Sequence, residues 1–399
     1  LSLFPRRHAA YMLHVFQRAL VDCCFGRYEQ MAERSREVLQ WLGRPGEIPI
    51  IPAEARAQLE VGVCNLLGQV EAIRTDGSVH EMLDVLEQAH IAGAREVAAA
   101  VRIMYHAHRG ERARFVRAQE EVDVLAAQAG STWRHDLVGL RTLWLTYALC
   151  EDVMALKRAA GELERATGEL PWLASTRDAA QACYLAERQR HDEALARYEP
   201  SLRAVVAERS AVSMRYALAY SRILRAAGRA LDAKAMCEEL LAALSGHDQG
   251  FMFTALLKLE VALARAELGE MPAAAEVIDA LIHAQADHDN PLVHGLFHKA
   301  RAQVALMQRD RATFGNQLRA MHGWFLRSDN PALIGQCQRL SEEGRAAGFV
   351  ESTRTPTTRR AFTRSLGQIS ATLNAARGRS ERLQAAIELI VEYSGAEAG

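Results

Sequence analysis

His294 and His298 lie four residues apart in a helical stretch, a spacing that sets two imidazoles on one face where they can share a zinc ion. A helical zinc hydrolase places a glutamate base between such a pair. Here the intervening residues are Gly295, Leu296 and Phe297, with no third ligand identifiable, so the pair reads as packing or surface. His106 and His108 are two apart, point to different sides of a helix and read as unrelated to metal. No GxxxxGK[ST], GxGxxG or GxSxG occurs, which leaves nucleotide binding and a nucleophile elbow without support. The adjacent acids Glu120-Glu121, Glu238-Glu239 and Glu342-Glu343 read as solvated helix faces. The residues therefore predict no catalytic group, no metal and no cofactor, and the segment reads as non-enzymatic.

Any site must be positioned by helices. Apolar residues make up 49% of the chain but aromatics only 6%, and there are just 10 prolines. Alanine and leucine carry the apolar content, and both favour helices that approach closely. With 399 residues the chain exceeds the size of one compact core, so an extended array or several domains is expected. Lys+Arg of 48 against Asp+Glu of 49 gives a net charge of −1, with no overall pull toward nucleic acid or anionic membrane. No apolar run reaches the ~18 residues of a membrane span, and no signal-peptide pattern opens the chain. The seven cysteines (Cys23, Cys24, Cys64, Cys150, Cys183, Cys237 and Cys337) lack any CxxC pair and sit in helical stretches. They read as reduced, buried thiols of a cytoplasmic protein. The chain starts at Leu1 rather than Met and ends in a helical pattern, which reads as a piece of a longer polypeptide.

From Met214 to Leu244 two helical patterns meet at Gly228. In the first, Met214, Ala217, Leu218, Ser221 and Leu224 form one stripe and Tyr216, Tyr220, Ile223 and Ala227 a second. A helix with two apolar stripes needs a neighbour on each side, and a chain of such units is a solenoid. Asp289-Asn290-Pro291 recurs 40 residues on as Asp329-Asn330-Pro331, each an N-cap followed by proline at the first helical position. Turns fall near 110, 150, 189, 228, 269 and 309. This period predicts about eight antiparallel helix pairs and a last single helix from Pro331 to Ala347. Pro200, inside the helix expected from Asp192 to Glu208, should cost a hydrogen bond and bend it.

These units resemble tetratricopeptide repeats. Gly228, Ala233, Cys237 and Leu240 follow that motif, as do Gly269, Ala274, Ile278 and Leu281. The run Arg190 to Leu195 with Tyr198 and Leu202 matches the second helix, and Arg27-Tyr28-Glu29-Gln30 after Gly26 matches again. The period here is longer than the usual ~34, and the large aromatic early in the first helix is mostly absent. This degenerate form is similar to the helical arrays of maltose-regulator-like transcription activators and large signalling ATPases. The resemblance covers about residues 7–347 and implies a right-handed, all-α solenoid with a concave face lined by first helices. On that face the turn spacing places Arg215, Arg222 and Arg225 in the sixth unit and Trp144 and Tyr147 in the fourth. Arginine with aromatics suits an acidic or aromatic peptide. The alternative is that Trp144 and Tyr147 merely pack between helices.

Residues 348–379 read as a basic linker and connector helix. Arg354 to Arg382 holds seven arginines and one acid, and Phe362, Leu366, Ile369 and Leu373 mark an amphipathic helix. Residues 380–399, ERLQAAIELIVEYSGAEAG at their core, look like the truncated first helix of a GAF domain. The whole reads as a protein- or peptide-binding regulatory scaffold in a larger bacterial signalling protein with an ATPase or Ser/Thr kinase. The partner is a protein, a peptide or another domain of the same polypeptide, not a membrane. A second reading is a DNA-associated regulator that uses the basic segment on phosphates.

Overall fold

The computed structural model describes residues 9–24, 27–43, 51–74, 78–91, 93–129, 136–206, 211–243 and 251–349. The basic segment and the GAF-like tail lie outside them. The chain divides into two compact units, Leu1–Phe349 and Val350–Gly399, and the described residues all belong to the first.

Its described residues form seventeen α-helices. They are α1 (Ala9–Cys24), α2 (Tyr28–Leu42), α3 (Ala53–Ile73), α4 (His80–Gln88), α5 (Ala94–His108) and α6 (Arg112–Ala129). Then come α7 (Asp136–Cys150), α8 (Val153–Glu169), α9 (Ala174–Glu187), α10 (His191–Val206), α11 (Ala211–Ala226) and α12 (Ala230–Ala243). The series ends with α13 (Met252–Glu267), α14 (Met271–Ala284), α15 (Pro291–Met307), α16 (Arg311–Arg327) and α17 (Pro331–Ala346). Odd and even helices pair antiparallel; successive odd helices also pack on one another, so the first helices form a continuous inner wall. This is a tetratricopeptide-like α-solenoid. None of its described helices is long and apolar enough to cross a membrane. Helix α10 runs on through Pro200.

One backbone device repeats through the array. Residues 110, 151, 189, 228, 269, 309 and 348 all adopt positive φ, between 57° and 91°. After each, the next N–H donates to the carbonyl five residues earlier, as in Glu111 to His106, Arg229 to Leu224 and Asp310 to Ala305. This is the Schellman closure, which satisfies the last carbonyls of the first helix and reverses the chain. Four of the seven positions are glycine, but Glu151, Gln189 and Arg309 adopt the same geometry with a side chain in place. After two of these turns the next helix starts on a side-chain cap. The Asp152 carboxylate accepts from the Ala155 N–H (2.9 Å) and that of Asp310 from the Thr313 N–H (3.0 Å).

Small residues set the helix spacing. At the fifth position after the turn Ala194, Ala233 and Ala274 are buried, whereas the eighth unit has Phe314 there. The ring is accommodated by Gly344 of α17, where a Cβ would overlap it; Gly295 of α15 makes the same room for Phe325.

The inner wall also meets itself. The C-terminal ends of α3, α5 and α7 abut the N-terminal parts of α13, α15 and α17. Arg74 forms an isolated antiparallel bridge with Phe251. The Asn290 side-chain amide donates to the His108 carbonyl (3.4 Å) and that of Asn330 to the Gly110 carbonyl (3.0 Å). The Gln336 amide donates to the Leu149 carbonyl (2.9 Å). Gly110 is wedged so closely that a Cβ would press on Leu333 and Leu292. Helix C-termini bear partial negative charge and N-termini partial positive charge, so these junctions are electrostatically matched as well as hydrogen-bonded.

Candidate functional site

The C-terminal ends of α7, α9, α11 and α13, with α15 and α17, line an open cavity of about 780 Å³. Its wall takes Ala148 and Glu151 from the α7 end, Glu187 from α9, Arg222 and Arg225 from α11, and Glu260 and Glu267 from α13. Lys299 and Gln303 of α15 and Arg339 and Glu343 of α17 complete it.

Most of these charges are bound to one another. The Arg225 guanidinium donates from Nη1 to Glu260 Oε2 (2.6 Å) and from Nη2 and Nε to Glu267 Oε1 (2.7 and 3.1 Å). Glu260, only 2% exposed, also lies 3.7 Å from Arg222. Glu151 is the hub of the far side: its carboxylate accepts from Lys299 and Arg339, and Arg222 stands 4.0 Å away. Lys299 donates as well to Gln336 Oε1 (2.8 Å). Burial opposes ionisation of Glu151, but Lys299 and Arg222 outweigh it and bring the carboxyl down to about 2. Burial acts the other way on Lys299, lowering it despite Glu151. Glu187 differs: burial and then the Glu151 charge push its carboxyl up against the pull of Arg222, Lys299 and Arg339, and it forms no hydrogen bond or ion pair with any described residue.

The five residues singled out from the sequence occupy four environments. Arg222 and Arg225 come together in the cavity wall. Arg215, 6% exposed, lies with its guanidinium 5.7 Å over the Phe253 ring. Trp144, 1% exposed, packs at 5.4 Å on Tyr216, whose hydroxyl meets Thr176 Oγ1 at 2.8 Å. Tyr147 stands apart from the cavity. It sits on the floor of a separate cleft of about 540 Å³ lined by α6 and α8, beside Phe115, and burial pushes its phenol up to about 12.

The histidine pair is engaged elsewhere. The His294 Nε2–H donates to the His288 carbonyl (2.7 Å) while the ring stacks on Trp324 at 4.0 Å. His298 Nδ1 meets Gln317 Oε1 at 2.6 Å. Among the described residues no three His, Cys, Asp or Glu side chains are grouped to hold a metal ion. The six described cysteines are free thiols, five of them buried, and burial raises Cys150 and Cys183 to about 12.

Sequence reading missed Glu151, Glu187, Lys299 and Arg339. The one local signal was Glu151, a charged residue at a turn position that is glycine in four of the seven turns.

No family model matches the chain, and no curated protein matches it. Its fold is found among solved structures. A Rap protein complexed with competence and sporulation factor superimposes with a TM-score of 0.52 at 11% identity, covering 85% of this chain and 99% of that one. NprR in complex with its cognate peptide NprX gives a TM-score of 0.51 at 13% identity, covering 85% of this chain and 97% of that one. At such identities the likeness is one of fold: this chain shares the architecture of those helical-repeat proteins.

Proposed function

We propose that this chain is a non-catalytic peptide-binding regulatory scaffold and that the cavity among its first helices receives the peptide. The cavity carries this reading. Its volume suits a small ligand or a short peptide segment, and its wall is drawn from six consecutive units. Two proteins of similar fold were solved with bound factors, one of them a cognate peptide, which supports the same use here. In this reading Arg222, half-buried and loosely paired, faces the peptide. Arg225 braces the wall, and Arg215, Trp144 and Tyr147 hold the helices that present it.

The wider role follows the sequence resemblance: a sensor or autoinhibitory arm within a larger bacterial, cytoplasmic protein that carries an ATPase or kinase and a GAF domain. Cross-linking of that intact protein is expected to join the array to a catalytic domain; its absence would remove this part.

For the cavity the test is Ala226→Trp. Ala226 is exposed at the end of α11 and lines the cavity, so the indole fills the space without disturbing packing. Randomised synthetic hexapeptides retained by the wild-type chain in gel filtration should be lost from the variant at unchanged Tm. Equal retention by both would place peptide binding elsewhere.

A further inference from the structure

Resting on the peptide-binding reading, we infer that the cavity selects a ligand carrying a cationic group, an ammonium or guanidinium, and that Glu187 receives it. Two observations point the same way.

The first is the charge census of the wall. Its four cations, Arg222, Arg225, Lys299 and Arg339, all have carboxylate partners within the protein. Glu151, Glu260 and Glu267 are the carboxylates that hold them, and Glu343, also in the wall, is exposed to solvent. Glu187, half-buried, makes no hydrogen bond or ion pair with a described residue: Arg222, Lys299 and Arg339 act on it only at a distance, and burial with the Glu151 charge outweighs them. A half-buried carboxylate with no counter-ion in contact is costly to the free protein, and a ligand cation that reaches it reduces that cost on binding.

The second is the direction of the helices. Glu187 is the last residue of α9, and α7, α11 and α13 also reach the cavity with their C-terminal ends. The partial negative charge of a helix lies at that end. A carboxylate there is in an unfavourable field, whereas a cation entering the cavity meets four favourable ends against two N-termini, Val153 of α8 and His191 of α10, that also line it. The arginine stripe suggested an acidic peptide from sequence; with Arg225 bound by Glu260 and Glu267, Arg222 within 4.0 Å of Glu151 and Glu260, and Arg215 buried over Phe253, the unmet demand has the opposite sign.

The experiment uses the full chain and amidated hexapeptide pools randomised at five positions. The acetylated pools carry arginine or glutamate fixed at the remaining position; a norleucine pool is left with a free N-terminus. Retention is read by mass spectrometry. The arginine pool should be retained about tenfold over the glutamate pool, a difference expected of one charge-assisted hydrogen bond. Retention of the free-amine norleucine pool would assign the cation to an α-ammonium instead. Glu187→Gln should bring the cationic and glutamate pools to near equality, and Glu187→Asp should restore part of the preference. The Gln variant removes an unpaired charge from a helix end, so its Tm should match or exceed that of the wild type. A preference for glutamate, or a cation preference that survives Glu187→Gln, overturns the inference. Failure of every pool to bind better to wild type than to Ala226→Trp overturns the peptide-binding reading and this inference with it.

Discussion

Asn330 caps its own helix with one edge of its side-chain amide and holds the carbonyl of Gly110 with the other. Oδ1 accepts from the Ala332 N–H at 3.1 Å while Nδ2 donates across 220 residues at 3.0 Å. Loss of both bonds at this buried position is expected to cost about 2–3 kcal/mol in Asn330→Ala. Asn330→Asp keeps the cap but turns an acceptor toward the Gly110 carbonyl. Urea denaturation should therefore show the aspartate variant well below wild type. Recovery of full stability by Asp would mean that the cap alone matters.

Glu151 does two opposed things: it occupies the left-handed turn at φ 57° and anchors Lys299 and Arg339. Arg309 has the same backbone geometry, at φ 61°, with an exposed side chain. Arg309→Gly should stabilise the fold by roughly 0.5–1 kcal/mol through backbone relief. Glu151→Gly gains the same relief yet should destabilise by about 2–4 kcal/mol, because it strands buried cations. In a double-mutant cycle, Glu151→Gln with Lys299→Met should cost less than the sum of the two single changes.

Two aromatic rings rest on glycines. Gly295→Ala and Gly344→Ala each place a methyl within the ring of Phe325 or Phe314 and should cost about 1–3 kcal/mol in thermal or urea unfolding. Pairing Gly344→Ala with Phe314→Leu should recover part of the loss. If Gly344→Ala alone is neutral, α16 and α17 are not held at this distance.

His108 is buried against Phe253, and burial, followed by the nearby Arg215 charge, lowers its imidazole to about 3. It is neutral in the folded chain when the unfolded chain has already begun to bind a proton. Stability is thus full above the unfolded value of about 6.5 and is lost progressively as pH falls from there toward 3, about 2 kcal/mol of it by pH 5. Glu151, held at about 2, adds acid sensitivity only below about 4.5. Urea midpoints measured from pH 8 to 5 should fall for wild type and fall clearly less steeply for His108→Leu, which keeps the contributions of His294 and His298. A slope unchanged in that variant would assign the effect to His294 and His298, whose imidazoles burial also lowers.

The array was legible because its signals are local. Gly228, Gly269 and the two Asn-Pro caps mark turns and starts within a few residues, and their spacing located even the turns at Glu151, Gln189 and Arg309 that lack glycine. The junctions were not legible, since they depend on small rotations summed over five or more units that no short pattern records. Asn290 and Asn330 read correctly as caps, but the second edge of each amide had no visible destination. Arg225 is the intermediate case: its partner Glu267 lies 42 residues on, about one repeat away, so the period itself held the clue. Glu151 and Lys299, separated by 148 residues, left none.

Where the inner wall meets itself there is also a constraint on biosynthesis. A repeat array can ordinarily be completed unit by unit as it leaves the ribosome, since each unit needs only its neighbours. Here the carbonyls of His108, Gly110 and Leu149 wait for Asn290, Asn330 and Gln336. At ordinary translation speeds the 220 residues between Gly110 and Asn330 take roughly 10–40 s to synthesise. For that interval the early units are folded but unsealed, with the Gly110 turn and the Glu151 carboxylate open to water and to whatever else binds nascent chains.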